Sequence, residues 1–137
     1  ERELVREAWE KGLFALRGAG SGSGTSAYPK PDLLVFRPGG VVDVVQVKTT
    51  SKSSIRLGPS SWGDEVLVAR RLRSLGFRAR VLLVLDLRTP RGRREVVVEV
   101  DGHEGEALRA WYDEGEDRVA FSWGRGHKRG GGSRGRH

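Results

Sequence analysis

The sequence lacks cysteine, methionine and asparagine altogether. The absence of cysteine excludes disulfides, thiolate zinc sites, iron–sulfur clusters and a cysteine nucleophile. No apolar run approaches the roughly 20 residues that a membrane-spanning helix requires, and we expect no signal peptide at the start of the chain. The lack of thermolabile residue types, with 31% charged residues, is typical of proteins selected for heat and also of GC-rich codon usage. We therefore expect a cytoplasmic protein, with a thermophile as its source.

Basic residues outnumber acidic ones, and the excess is concentrated at the end of the chain. The 25 Lys and Arg residues against 18 Asp and Glu residues give a net charge of +7. Residues 124–137 hold five of the basic residues and no acidic residue, which leaves only +2 on residues 1–123. The charge of this glycine-rich segment favours a polyanion, with nucleic acid as the leading partner and a solubilising role as the alternative. The length predicts one domain over residues 1–123 and a flexible basic tail over 124–137.

The hydrophobic pattern predicts a mixture of helices and strands. Helices are predicted over residues 1–12 and 62–75, with a short third helix around 104–112. Ser61 and Asp64 predict a capping box at the start of the second helix. The predicted strands cover residues 13–17, 32–36, 41–50, 78–87, 95–100 and 119–123. This order of elements predicts an α/β fold in which helices flank a central mixed β-sheet.

The predicted hairpin over residues 32–50 carries side chains that suit a divalent-metal site. Alternation places Gln46 and Lys48 on one face of the second strand, near the open end where they can face Asp32. A carboxylate, an amide oxygen and a backbone carbonyl are suitable ligands for Mg²⁺. A nearby lysine can orient or deprotonate a water molecule and stabilise charge that develops on a phosphate. The alternative interpretation is a polar strand end whose side chains are simply solvated.

The pair Pro31-Asp32 followed by Gln46-Val47-Lys48 matches the outline of the PD-(D/E)xK nuclease core, with Gln46 where an acid is usual. Several other segments, in the same order along the chain, resemble the archaeal Holliday junction resolvase family of the Hjc type. These segments are residues 1–4 (Glu-Arg-Glu-Leu), Gly12, Arg17, 18–21 (Gly-Ala-Gly-Ser), 45–50 (Val-Gln-Val-Lys-Thr-Thr), 55–57 (Ile-Arg-Leu) and 69–71 (Ala-Arg-Arg). The resemblance covers about residues 1–100 and implies a restriction-endonuclease-like core.

The resemblance also implies a role for each matching residue. The catalytic positions are Glu1, Ser21, Asp32, Gln46 and Lys48. The metal ligands are Glu1, Asp32, Gln46 and Val47, the last through its carbonyl, and the cofactor is Mg²⁺ with Mn²⁺ as a substitute. The positions for binding DNA or phosphate are Arg2, Arg17, Ser21, Lys30 and Arg56.

As a whole, the resemblance implies a homodimeric endonuclease that resolves four-way DNA (Holliday) junctions inside an archaeal cell. It leaves open whether a clamp-type protein partner takes part. Gln46 is the only side-chain amide in the chain, and it has three explanations: a natural active variant, an engineered inactivation or a natural paralogue that does not cut. The alternative functions are a non-catalytic, structure-specific DNA-binding protein with Gln46 disabling the site, or another repair or restriction nuclease on the same core.

Overall fold

The computed structural model describes residues 2–18 and 28–125, which form two helices and two β-sheets. Helix α1 spans Arg2–Glu10 and helix α2 spans Gly63–Ser74, the latter preceded by a 3-10 turn at Pro59–Trp62. The strands are β1 (Phe14–Arg17), β2 (Leu33–Arg37), β3 (Val41–Thr49), β4 (Ser54–Leu57), β5 (Arg78–Thr89), β6 (Gly92–Glu99), β7 (Glu106–Asp113) and β8 (Arg118–Arg125). Within these described residues, no helix is long and apolar enough to cross a membrane.

Five strands form the central sheet in the order β1-β2-β3-β5-β6. β3 and β5 are parallel, whereas the other neighbouring strands are antiparallel. The chain passes from β3 through β4 and α2 before it returns as β5, because two parallel neighbours need a crossover connection. Leu83, Leu85 and Leu87 of β5 are fully buried, as expected at the centre of a covered sheet. The sheet is mixed and flanked by helices, which confirms the predicted fold class.

Strand alternation divides the core into two clusters, one on each face of the central sheet. On one face, Ala8 of α1 packs in a cluster with Leu33 of β2 and Val45 of β3. On the other face, Val44 of β3 belongs to a cluster with Ala69 of α2. The side chains of β3 that share the face of Val44 therefore point toward α2.

β4, β7 and β8 form a second, antiparallel sheet. The helix predicted around residues 104–112 is wrong, because Glu106–Asp113 form β7. Glu, Ala and Leu in this segment favour a helix intrinsically. Pairing with β4 and β8 outweighs that preference, and the alternate residues Leu108 and Ala110 are buried. β8 ends at Arg125, inside the segment predicted as the tail.

Helix α2 begins differently from the prediction. Trp62 occupies the N-cap position and no side chain caps the helix, so the predicted capping box of Ser61 and Asp64 is wrong. The carboxylate of Asp64 instead accepts a hydrogen bond from the backbone N–H of Lys30 at 3.3 Å. Trp62 is buried, and its indole N–H donates to the carbonyl oxygen of Glu104 at 3.0 Å. These contacts tie the start of α2 to the segment before β2 and to the turn before β7.

Candidate active site

Asp32 lies directly before β2, and its carboxylate is held against β3. Its Oδ2 accepts a hydrogen bond from Nε2 of Gln46 at 3.0 Å and another from the backbone N–H of Val47 at 3.0 Å. The same Nε2 lies 3.4 Å from the carbonyl oxygen of Val47. One amide nitrogen therefore donates to both a carboxylate oxygen and a carbonyl oxygen. The structure thus brings together three of the four residues that the sequence predicts as metal ligands.

The oxygen atoms at this point fit a hard divalent cation. The Asp32 carboxylate and the Val47 carbonyl both present their negative ends to the amide group of Gln46. A bound cation would replace that interaction, and the amide oxygen of Gln46 is a further suitable ligand. Only one of these three groups is negatively charged. Since cation affinity depends on the number of charged ligands, the three alone make a weak site.

Lys48 lies two residues after Gln46 on β3, and its side chain therefore shares the face of Gln46. The side chain is half-buried, and its strand neighbour in the parallel register is Leu85 of β5. Within the part of the chain that the structure describes, the side chain of Lys48 forms no hydrogen bond or ion pair. Its ammonium group is thus not committed to a carboxylate of the described fold.

Glu65 is a neighbour of this site that the sequence analysis missed. It lies in the first turn of α2 and is only 1% exposed. Burial raises the pKa of its carboxyl group to about 7, and the negative charge of Asp32 adds to the increase. A signal was present in the sequence, because Glu65 precedes Ala69 by four residues and Leu72 by seven. That spacing places an acid on the apolar face of the predicted helix.

The chain at the end of β1 passes very close to Asp32. The backbone N–H of Gly18 donates to the carbonyl oxygen of Asp32 at 2.9 Å. A Cβ atom at Gly18 would lie 2.1 Å from the carbonyl oxygen of Pro31, so only glycine fits this position. Arg17 pairs with Leu33 across β1 and β2, and it is exposed directly before Gly18. The predicted phosphate-binding Arg17 is therefore held beside the segment that carries Asp32.

The other predicted DNA-binding residues lie on separate elements. Arg2 is exposed at the first residue of α1, Lys30 is half-buried before β2, and Arg56 is exposed on β4. Glu1 and Ser21, for which catalytic roles were predicted, lie outside the described residues.

The second sheet has a basic outer face. Arg56 of β4 is the direct cross-strand partner of Arg109 of β7. The guanidinium of Arg109 lies 4.7 Å from the ring centre of Trp111, and Ser122 and Arg125 help to line a shallow pocket beside the two strands. Neither Arg56 nor Arg109 forms an ion pair with any other described residue. Directly opposed like charges destabilise a sheet, so a bound anion would be stabilising at this face. Arg109 was missed because its segment was predicted as a helix.

Comparison with known proteins gives the family to which the chain is similar. A family model described as archaeal Holliday junction resolvase (Hjc) matches residues 1–110. The solved structure of Hjc from Archaeoglobus fulgidus, a Holliday junction resolvase from an archaeal hyperthermophile, is similar with a TM-score of 0.54 and 26% sequence identity. That similarity covers 73% of this chain and 75% of the Archaeoglobus chain. No curated protein sequence is significantly similar. Since the family model covers most of the sequence and confirms the resemblance found in its motifs, the chain belongs to the archaeal Holliday junction resolvase family.

Proposed function

We propose that this chain is a divalent-metal-dependent endonuclease that resolves four-way DNA junctions as a homodimer. The observation that carries the proposal is the contact of the Asp32 carboxylate with Gln46 and Val47. That contact supports the proposal because it brings together oxygen atoms that suit a cation, at positions that the resemblance implicates, in a chain of a resolvase family. The expected cofactor is Mg²⁺, for which Mn²⁺ can substitute.

Each residue of the site would have its own role in phosphodiester hydrolysis. Asp32, the amide oxygen of Gln46 and the Val47 carbonyl would hold the cation. When bound, a divalent cation polarises the scissile phosphate and lowers the pKa of water beside it. The Nζ group of Lys48 orients the attacking water by a hydrogen bond, and its positive charge offsets the negative charge that develops on the phosphate. The family resemblance adds catalytic roles for Glu1 and Ser21.

DNA recognition would depend on backbone charge and junction shape rather than on base sequence. Contacts with phosphates supply affinity and orientation but carry no sequence information. The exposed arginines at positions 2, 17 and 56, which the resemblance implicates, can supply such contacts. Arg109 extends this set, because it shares the outer face of the second sheet with Arg56.

A homodimer suits this substrate, since a four-way junction has two equivalent strands to cut and a two-fold dimer presents two matching sites. Large apolar side chains on and just after α2 support self-association. Leu67, Leu75 and Phe77 are 51%, 65% and 40% exposed, respectively. The proposal predicts a dimer mass for the full chain in sedimentation equilibrium, and a monomer mass at micromolar concentrations would count against it.

The test of the nuclease proposal is a Mg²⁺-dependent cleavage assay on a four-way junction and on a linear duplex of matched sequence. We expect the full chain to cut the junction and to spare the duplex. The substitution Asp32→Asn should lower the cleavage rate by about a hundredfold or more while junction binding persists. Glu114→Gln, in the exposed turn between β7 and β8, is the control and should cut normally. Equal cleavage of both DNAs would indicate a repair or restriction nuclease instead.

A second candidate function is structure-specific DNA binding without cleavage. One observation favours it: the amide of Gln46 satisfies the Asp32 carboxylate without any cation. Junction binding with no cleavage in Mg²⁺ or Mn²⁺ would support this candidate. Cleavage that appears only after Gln46→Glu would show that the amide disables an otherwise complete site.

A further inference from the structure

Glu65 comes from the helix that covers the Asp32 face of the central sheet. Val44 of β3 packs in one cluster with Ala69 of α2. Gln46 follows Val44 by two residues, so its side chain points toward α2 as well. The hydrogen bond from Gln46 to Asp32 therefore lies on the face that α2 covers. Glu65 precedes Ala69 by one helical turn and lies on the same buried face of the helix.

Two further observations place Glu65 close to Asp32. The backbone N–H of Lys30 donates to Asp64 at 3.3 Å, which fixes the first turn of α2 against the segment that leads to Asp32. Burial raises the pKa of Glu65 and the negative charge of Asp32 raises it further, whereas a hydrogen bond from the backbone N–H of Asp32 lowers it. The hydrogen bond from the backbone N–H of Asp32 requires the carboxyl group of Glu65 to lie against this residue. Two carboxylates thus meet at this face of the sheet.

The described fold compensates the buried charge of Glu65 only in part, because its pKa stays raised although its carboxyl group accepts hydrogen bonds from the backbone N–H groups of Glu65 and Asp32. A buried carboxylate is costly unless a cation or several hydrogen bonds compensate for it. No basic side chain among the described residues forms an ion pair with Glu65. Meanwhile the neighbouring set of Asp32, Gln46 and Val47 holds one negative charge for a doubly charged ion. The Glu65 carboxylate, which has no cation partner among the described residues, thus lies beside a set of oxygen atoms that carries too little negative charge for a divalent cation.

We infer that Glu65 is a ligand of the divalent cation and supplies from α2 the carboxylate that Gln46 does not supply from β3. This inference rests on the proposed function and adds a residue to its metal site. Asp32 and Glu65 then contribute two negative charges, and the Val47 carbonyl and the Gln46 amide contribute neutral oxygens. Such a set matches the preference of Mg²⁺ and Mn²⁺ for oxygen ligands that include one or two carboxylates.

The test measures Mn²⁺ binding to the full chain at pH 8, without DNA, by the loss of the free-ion signal in electron paramagnetic resonance. We expect Glu65→Gln to weaken Mn²⁺ binding about 10- to 100-fold, as Asp32→Asn also should. The control Glu114→Gln removes an exposed carboxylate of the same type and should bind Mn²⁺ like the unmodified chain. Because the amide removes a buried charge, Glu65→Gln should unfold at the same or a higher temperature. An unchanged or higher unfolding temperature would show that weaker Mn²⁺ binding comes from the loss of a ligand and not from unfolding of the protein.

A double variant tests whether the carboxylates on α2 and β3 are interchangeable. Combining Glu65→Gln with Gln46→Glu moves the negative charge to the strand, and we expect Mn²⁺ binding to recover to within about threefold of the unmodified chain. Mn²⁺ binding that survives Glu65→Gln unchanged would overturn the inference. It would equally be overturned by a double variant that binds as weakly as Glu65→Gln, or by an unmodified chain that binds no Mn²⁺ at millimolar concentration.

The junction cleavage assay on the same proteins distinguishes this inference from the proposed function. An unmodified chain that binds Mn²⁺ through Glu65 but never cuts would refute the nuclease and leave the ligand assignment intact. An unmodified chain that cuts the junction, with Glu65→Gln equal to it in Mn²⁺ binding and in rate, would refute the ligand assignment and leave the nuclease intact.

Discussion

The carboxylate of Asp32 accepts a hydrogen bond from the side-chain amide of Gln46 at 3.0 Å. A glutamate at position 46 would bring another carboxylate to about the same separation from Asp32, where two negative charges repel unless a cation lies between them. The amide therefore favours the metal-free protein, and an acid would favour the metal-bound one. This difference is measurable without DNA.

We predict that Gln46→Glu lowers the melting temperature of the protein in EDTA and enlarges the increase in melting temperature that Mg²⁺ produces. The reason is mass action, since tighter binding to the folded state gives more stabilisation at the same ion concentration. Differential scanning fluorimetry over a Mg²⁺ titration measures both effects. Cleavage at limiting Mg²⁺ should be faster in the variant, while junction affinity stays nearly unchanged. Identical Mg²⁺ titrations for the two chains would show that the amide of Gln46 does not weaken Mg²⁺ binding.

The close passage of Gly18 makes a second prediction. Gly18→Ala would place a Cβ atom 2.1 Å from the carbonyl oxygen of Pro31, so the backbone at Pro31 and Asp32 must move. We expect cleavage to fall about tenfold or more, because even small displacements of catalytic groups are costly. The melting temperature should fall as well. Gly105→Ala has open space around its added Cβ and serves as the control. Normal cleavage by Gly18→Ala would mean that the position of Asp32 does not depend on this contact.

The opposed pair Arg56 and Arg109 predicts opposite effects on folding and on DNA binding. Arg109→Gln removes a like-charge contact, so the protein without DNA should be as stable as before or slightly more stable. The same change should weaken DNA binding and reduce the slope of log K against log salt by about one. Arg6→Gln is the control, because Arg6 pairs with Glu3 and Glu10 on α1. Salt slopes that are equal for Arg109→Gln and the unmodified chain would exclude a phosphate contact at this face.

A contact between the two sheets predicts a pH dependence of stability. Hydrogen bonds from Arg94 and from the hydroxyl of Tyr112 hold the pKa of Asp117 below its ordinary value. The stabilisation is therefore present above the pKa of an unfolded aspartate, about 4, and is lost as the pH falls through the lower pKa of the folded state. Asp117→Asn keeps a residue that tolerates the positive φ of 51° at this position.

We expect Asp117→Asn to lower the melting temperature at pH 7 by no more than about 4 °C, because exposed ion pairs contribute little. The difference between the two chains should shrink steadily as the pH is lowered below 4. Thermal unfolding of both chains over a pH series is the measurement. A difference that grew at low pH would contradict the hydrogen bonds from Arg94 and Tyr112 as the cause of the lowered pKa of Asp117.

Much of the fold followed from the sequence because its strands are strongly patterned. The alternation of β3 correctly placed Gln46 on one face, and the continuous apolar run of β5 correctly indicated a strand covered on both sides. β7 was mistaken for a helix because Glu, Ala and Leu favour helices locally, while its strand state is set by pairing with β4 and β8. Pairing between distant segments is not visible in a local pattern.

The candidate site was predicted only in part for a similar reason. Asp32 directly precedes β2 and Gln46 lies on β3, the two strands of one hairpin, so spacing alone brought them together. Glu65 reaches the same face from a helix in the crossover connection, and its position depends on how α2 packs against β3. An acid on an apolar helix face was the available signal. Its meaning became clear only once α2 was placed over Gln46.

The last prediction concerns the basic end of the chain, residues 126–137, which follow β8 and contain four Lys and Arg residues and no acid. If this segment contacts phosphates, each neutralised phosphate contributes a slope of about −0.9 in log K against log salt for duplex DNA. A chain of residues 1–125 should therefore bind junction and duplex more weakly than the full chain. Its salt dependence should be flatter by about 3.6 units at most.

Junction preference should survive this truncation, because a short basic segment responds to charge while a two-fold dimer responds to the geometry of the branch. The measurement is a salt titration of junction and duplex affinity for chains 1–125 and 1–137. Truncation at residue 125 keeps β8 whole, so the second sheet and its Arg56 and Arg109 pair stay in place. Superimposable salt slopes would assign the segment to solubility rather than to DNA binding. A lost preference for the junction would instead show that the segment itself recognises the branch.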